Sequence, residues 1–179
     1  DTPPEGRKPV KTYVMPYDEE LLQQAIRFEL ARNGQVYYVH NRIQDILRIR
    51  DNLLKILPEI KIGVAHGQMK GDTIDGVITD FLTGKLNVLL CTTIIESGID
   101  IATVNTLIVD DSEFLGLAQM YQLRGRVGRS HRRAYAYFFY DPKRATQFKA
   151  EARLDAIREY VELGSGLKIA FRDMEIRGA

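Results

Sequence analysis

Five short apolar runs recur along this chain, at residues 35–39, 61–65, 87–91, 104–109 and 134–139, with helix-patterned stretches between them. A strand with one wet face alternates apolar and polar residues, whereas a strand buried on both faces stays apolar throughout. Residues 10–15 alternate and are β-rich, so they read as a first strand. Asp18 is placed to cap a helix whose apolar side carries Leu21, Leu22, Ala25, Ile26, Phe28 and Leu30, closed by Asn33 and Gly34. A second helix is expected from Ile43 to Leu57, where Pro58 stops it. A third is expected over about residues 71–83, ended by Gly84, and a fourth over about 115–123. Strands alternating with helices, most of them unbroken apolar stretches, imply an α/β fold: a parallel sheet with helices on both faces.

In such sheets ligands gather at the carboxyl ends of the strands. Polar clusters fall there: His40 and Asn41, then His66, Gly67 and Gln68, then Thr92 and Thr93, then Asp110 and Asp111. Every sheet of this kind ends its strands in polar loops, so that regularity alone does not make a site.

Charge makes the sharper statement. The 179 residues are 45% hydrophobic and 27% charged, which is a soluble globular composition, and the formal net charge is only +1. The distribution is uneven: Arg124, Arg126, Arg129, Arg132 and Arg133 stand together, and no acid occurs between Phe114 and Tyr140. Guanidinium is permanently charged and forks onto phosphate oxygens, so this cluster suits a site for a polyphosphate. Gly125 and Gly128 lie where the backbone must bend or approach something closely. The spacing of Arg126 and Arg129 places them about one turn apart on one helical face. A solvated basic helix start is the plainer alternative.

The stretch from Thr92 to Asp100 is the second constellation. Two hydroxyls beside strand-end amides suit a nucleic-acid phosphate, Gly98 allows close backbone approach, and Asp100 can accept from a ribose hydroxyl. The same residues also read as a capped helix start, with Glu96 completing a capping box, and both readings can hold together.

Several chemistries are missing. No Gly-x-x-x-x-Gly-Lys-Ser/Thr phosphate loop occurs, so Asp110 and Asp111 read as loop acids rather than metal ligands. His40, His66 and His131 lack ligand spacing, and one cysteine completes no zinc site. No metal site is expected. Cys91, inside an apolar strand, reads as a small buried thiol, which fits a reducing cytoplasmic setting. No apolar run approaches the ~18–20 residues that span a bilayer, so no membrane association is expected. The chain offers half of a nucleotide site.

At this point the motifs resemble a known family. Gln122-Leu-Arg-Gly-Arg-Val-Gly-Arg129 is similar to motif VI of superfamily-two helicases and translocases, and residues 92–100 are similar to their motif V. Residues 35–43 and 66–69 resemble motif IV and the region after it. Together these resemble the second RecA-like lobe, which lacks the phosphate loop. Residues 163–170 and 172–178 resemble the translocation motif of RecG-like branch-migrating helicases and the bacterial transcription-repair coupling factors. The wording around Arg129, Ser130, His131 and residues 163–166 looks closer to the coupling factors. Two small departures stand out: Ala102 occupies a position where the family usually has proline, and Gly71-Asp72 replaces a more acidic stretch.

The resemblance implies a RecA-like lobe over residues 10–141, a linker at 1–9, and an incomplete helical arm of the translocation motif at 142–179, in an excised piece of a larger motor. It implies ATP bound between this lobe and a first RecA-like lobe that holds Mg2+. Arg126 and Arg129 would act as arginine fingers with Gln122 positioning phosphate or water, and Gly98 and Asp100 would touch the nucleotide. Thr92, Thr93, His66, Gly67 and Asn41 would hold double-stranded DNA by its phosphates, and RNA polymerase would be reached through other domains. The isolated chain is expected to have no ATPase. A RecG-like helicase lobe or a stand-alone basic nucleic-acid-binding module remain the alternatives.

Overall fold

A computed structural model describes residues 10–92, 104–128 and 130–160. Six strands form one sheet: β1 (Lys11–Pro16), β2 (Gln35–Val39), β3 (Ile62–Ala65), β4 (Val88–Cys91), β5 (Val104–Val109) and β6 (Tyr135–Tyr140). Their order is β1-β6-β5-β2-β4-β3 and every pairing is parallel. All strand starts therefore share one edge of the sheet and all strand ends share the other.

Side chains alternate across the pleat, and the two faces build two separate cores. One face sets Val36, Tyr38, Val88, Leu90, Ile108 and Phe139 against α1 (Glu19–Ala31) and α2 (Ile46–Ile56). The other sets Tyr37, Val39, Leu89, Cys91, Leu107 and Phe138 against Phe81 of α3 (Gly71–Leu82) and Leu117, Met120 and Leu123 of α4 (Leu117–Arg124). The continuous apolar strands of the sequence are thus buried twice over. Cys91 is a buried thiol.

Local chemistry sets most boundaries where expected. Asp18 caps α1 through Leu21 N–H, a bond worth about 1 kcal/mol. Asn33, at φ 62°, turns the chain out of that helix. Phe28 does not reach the core: it is exposed, packing edge-on against Tyr135 with the Arg32 guanidinium over its ring. The helix expected to run from Ile43 opens instead as a tighter 3-10 turn, Ile43–Asp45, before α2 begins.

Beyond β6 the chain continues as α5 (Pro142–Gln147) and α6 (Glu151–Tyr160). Asp141 caps α5 through the N–H groups of Lys143 and Arg144, with Pro142 in the first turn. Leu154, Ala156 and Ile157 of α6 join the core that contains Val14 and Met120, and Arg158 donates to the carbonyl of Val14. Residues 161–179, where the rest of the expected arm falls, and the expected linker at 1–9 lie outside the described residues.

Candidate functional site

The described candidate residues fall on opposite edges of the sheet. The loops after β2, β3, β4 and β5 carry Asn41, His66, Gly67, Thr92, Asp110 and Asp111 along the carboxyl edge. The arginine segment falls on the amino edge. Arg124 donates to Thr12 Oγ1 (2.9 Å) and to the Val10 carbonyl (3.1 Å), at the start of β1. Ser130 Oγ donates to Asn105 Oδ1 at the start of β5, and Arg132 donates to the Arg32 carbonyl beyond the end of α1.

The helical reading of the arginine pair does not hold. α4 ends at Arg124, and Arg126 sits in the turn that follows, its N–H bonded to the Leu123 carbonyl at 3.0 Å. Gly128 then takes φ 83°, and a Cβ there would lie 2.8 Å from Val10 Cγ2. A left-handed glycine stops helical propagation, and the described turn at 125–128 is not helical. Gln122 is exposed on α4 and Arg126 is half-buried. Arg129, Thr93, Gly98 and Asp100 lie outside the described residues, as does Glu96.

On the carboxyl edge, Asn41 and Gly67 are exposed, and nothing lies within 4 Å of where a Gly67 Cβ would sit. His66 Nδ1 accepts from Gln68 N–H at 3.2 Å. Thr92 is buried, and among the described residues its hydroxyl has no hydrogen-bond partner. An unpaired buried hydroxyl is costly, so a strand-end threonine in this state marks a place where an acceptor belongs.

Asp110 and Asp111 are more than loop acids. Asp110 is buried: its carboxylate meets His40 Nδ1 at 2.7 and 2.9 Å and accepts from the Tyr38 hydroxyl at 3.0 Å. Burial holds its carboxyl above the ordinary value, while His40 and the Tyr38 hydroxyl pull it down. Burial likewise pushes the Tyr38 phenol well up. His40 Nε2 meets Asp45 Oδ1 at 2.6 Å. Asp111, at φ 50°, takes Arg42 on one oxygen and Arg144 on the other, and Arg144 continues to the fully buried Glu113 at 2.8 Å. His40, Asp110 and Asp111 thus offer ligand atoms within 4.8 Å of one another. A dication there would have to displace two guanidinium contacts and a bridging imidazole, so the cluster reads as a charge network. Spacing alone did not reveal it; the β2–β5 pairing does, because Tyr38 lies opposite Ile108 and the next residues on that face are His40 and Asp110.

A parallel sheet in this order, helices on both faces, a basic turn on one edge and polar loops on the other define a RecA-like lobe. The helicase conserved C-terminal domain model matches residues 18–131, and the chain belongs to that family. It is similar to the transcription-repair-coupling factor of Bacillus subtilis, 54% identical over all 179 residues, which make up 15% of that relative's length. Among solved structures it resembles RecG bound to a three-way DNA junction, at 30% identity and a TM-score of 0.73, covering 97% of this chain and 23% of that one. The C-terminal domain of the DEAD-box protein Dbp5 shares the fold at 18% identity and a TM-score of 0.58, covering 87% of each chain. Among the described residues no helix is long and apolar enough to cross a membrane.

Proposed function

We propose that this chain is the second motor lobe of an ATP-dependent double-stranded DNA translocase that couples DNA repair to stalled transcription in the cytoplasm. The observation that carries the reading is the separation of the two polar edges. A lobe that meets a nucleotide on one edge and a nucleic acid on the other can convert closure around the first into displacement along the second. The similarity to transcription-repair-coupling factors over the whole chain supports the choice of motor, and RNA polymerase would be met through domains beyond this lobe. The likeness to RecG favours a second reading, a branch-migrating helicase lobe with the same two edges.

The amino-edge turn fits a triphosphate. It is basic and acid-free, Arg124 anchors it to β1, and Gly128 folds it against Val10 with no room for a side chain. A first RecA-like lobe would supply the phosphate loop and hold Mg2+, and bound ATP would supply the phosphoryl group that is hydrolysed. Arg126 and Arg129 would set guanidinium charge against the γ-phosphate, Gln122 would orient phosphate or water, and Gly98 and Asp100 would meet the ribose. On the other edge Asn41, His66, Gly67, Thr92 and Thr93 would grip DNA phosphates, a contact without sequence preference. Arg42, exposed beside Asn41, joins them.

The test is kinetic. In the intact motor, Arg126→Ala or Arg129→Ala should lower steady-state ATPase by ~10³ or more while DNA binding is largely retained. This chain alone should hydrolyse no ATP and should bind a DNA duplex only weakly at physiological salt. Normal ATPase in both variants removes the finger assignment, and tight, steeply salt-dependent binding by the chain alone favours a stand-alone binding module.

A further inference from the structure

The loop between β2 and α2 is closed by one side chain. His40, at the end of β2, reaches Asp110 through Nδ1 and Asp45 through Nε2, and Asp45 stands at the start of α2. The residues enclosed are 41–44, with Asn41 and Arg42 exposed on the carboxyl edge. Arg42 is itself drawn to Asp111 at 3.1 Å and Asp45 at 3.4 Å.

A neutral imidazole has one N–H and one lone pair. Here each ring nitrogen faces a carboxylate oxygen, so each contact needs a proton. The Tyr38 hydroxyl donates into the Asp110 carboxylate as well, which favours its ionised form. Both protons therefore belong to the ring, and the imidazolium sits between two acids.

We propose that His40 is a positioning residue: its imidazolium, clamped between Asp45 and Asp110, holds residues 41–44 in the shape that grips a nucleic-acid phosphate, and the grip slackens when that proton leaves. The proposal rests on the nucleic-acid reading of the carboxyl edge. His40 lines a cavity of about 520 Å3, which gives the buried ring a proton route to solvent. The other charges on that cavity are Arg48 on α2, Glu19 at the start of α1, Arg42 and Asp111 beside the clamp, and Asp141 with Arg144 at the start of α5. They are three cations and three acids, and Arg42 and Arg48 meet Asp45 without replacing its bond to His40.

The sign follows from the partners. Burial disfavours the charged ring, but the hydrogen bonds to Asp110 and Asp45 outweigh it, and His40 titrates above the ordinary value of 6.5. The clamp is complete below 6.5 and is lost as pH rises through the higher folded value. Its loss adds one negative charge to a unit that faces phosphate.

The test uses the chain itself, whose histidines number three. Nitrogen-15 histidine spectra should show both ring nitrogens of His40 protonated at about neutral pH, with a midpoint above the ordinary value of 6.5. Asp45→Asn, a change at a partly exposed position, should lower that midpoint. Binding of a short random-sequence DNA duplex should weaken about threefold or more as pH rises through it, the effect of one added charge roughly 7 Å from a phosphate. In His40→Gln the pH dependence should vanish. A His40 ring that carries one proton below its midpoint, or titrates at or below the ordinary value, overturns the clamp whatever the DNA does. Wild-type binding that ignores pH overturns the coupling alone. No duplex binding at any pH, with the titration as stated, overturns the nucleic-acid reading and the coupling that rests on it.

Discussion

The carboxylate of Glu29 fills the space that a side chain at Gly34 would need: a Cβ built there would lie 1.8 Å from Glu29 Oε2 and 2.5 Å from Cδ. Glu29 is fully buried and cannot swing away cheaply. Arg32 holds it by two hydrogen bonds of 2.7 Å, and the Thr106 hydroxyl donates to it from β5. Gly34→Ala must therefore break this junction between α1 and the sheet. We expect a loss of about 2–3 kcal/mol, read as a lowered urea midpoint with an unchanged slope. A midpoint equal to wild type would show that the junction contributes little.

Arg124 stands inside the arginine motif but is bound to the start of β1, through Thr12 Oγ1 and the Val10 carbonyl. Its replacement should behave as a structural lesion. Arg124→Ala is expected to cost about 1.5–3 kcal/mol, because two partly buried acceptors lose a charged donor. Thr12→Val should cost less, since it removes one acceptor and leaves the bond to Val10. Chemical denaturation of both variants checks the order, and a larger loss for Thr12→Val would contradict it.

The fold could be read from residue order to a good depth, and the reason is physical. A strand buried on two faces leaves an unbroken apolar run, and 35–39, 87–91 and 104–109 each became a central strand of that kind. Caps were equally legible, because Asp18 acts on a neighbour three residues away. Long-range register was not. That His40 faces Asp110 depends on β2 lying beside β5, a pairing across 70 residues that no local pattern encodes. Helical spacing failed at Arg126 for the opposite reason: a local rule was extended past Arg124, where α4 ends. Arg126 and Arg129 keep their proposed role on chemical grounds, and their geometry as a helical pair is withdrawn.

Gly128 gives a way to separate the shape of that turn from its charge. At φ 83° a non-glycine residue costs about 1–2 kcal/mol, and the added methyl would press on Val10 at 2.8 Å. Gly128→Ala removes no charge, yet it should shift Arg126 and the segment beyond. In the intact motor it should lower ATPase by about 10²-fold, as a displacement of about 1 Å does at a positioned catalytic group. The nucleotide-free protein should remain folded by circular dichroism. Wild-type ATPase in this variant would show that the turn's backbone shape is immaterial to hydrolysis.

Glu113 is fully buried at the sheet's carboxyl edge, and Arg144 of α5 is its charged partner at 2.8 Å. The same guanidinium holds Asp111 at 2.8 Å, and the Glu113 carboxylate also accepts from Asp141 N–H at 3.2 Å. Arg153 of α6 donates to the Glu113 and Leu115 carbonyls, so α5 and α6 are each fastened to this one loop. Arg144→Met keeps much of the side chain's bulk but strands a buried carboxylate. The expected cost is about 3 kcal/mol, most of it the penalty of the unpaired charge rather than the value of the pair. Glu113→Gln in the Arg144→Met background removes that charge and should recover at least ~1 kcal/mol, a non-additivity that a double-mutant cycle in urea measures directly. Strict additivity of the two changes would mean that Glu113 draws its stability from partners other than Arg144.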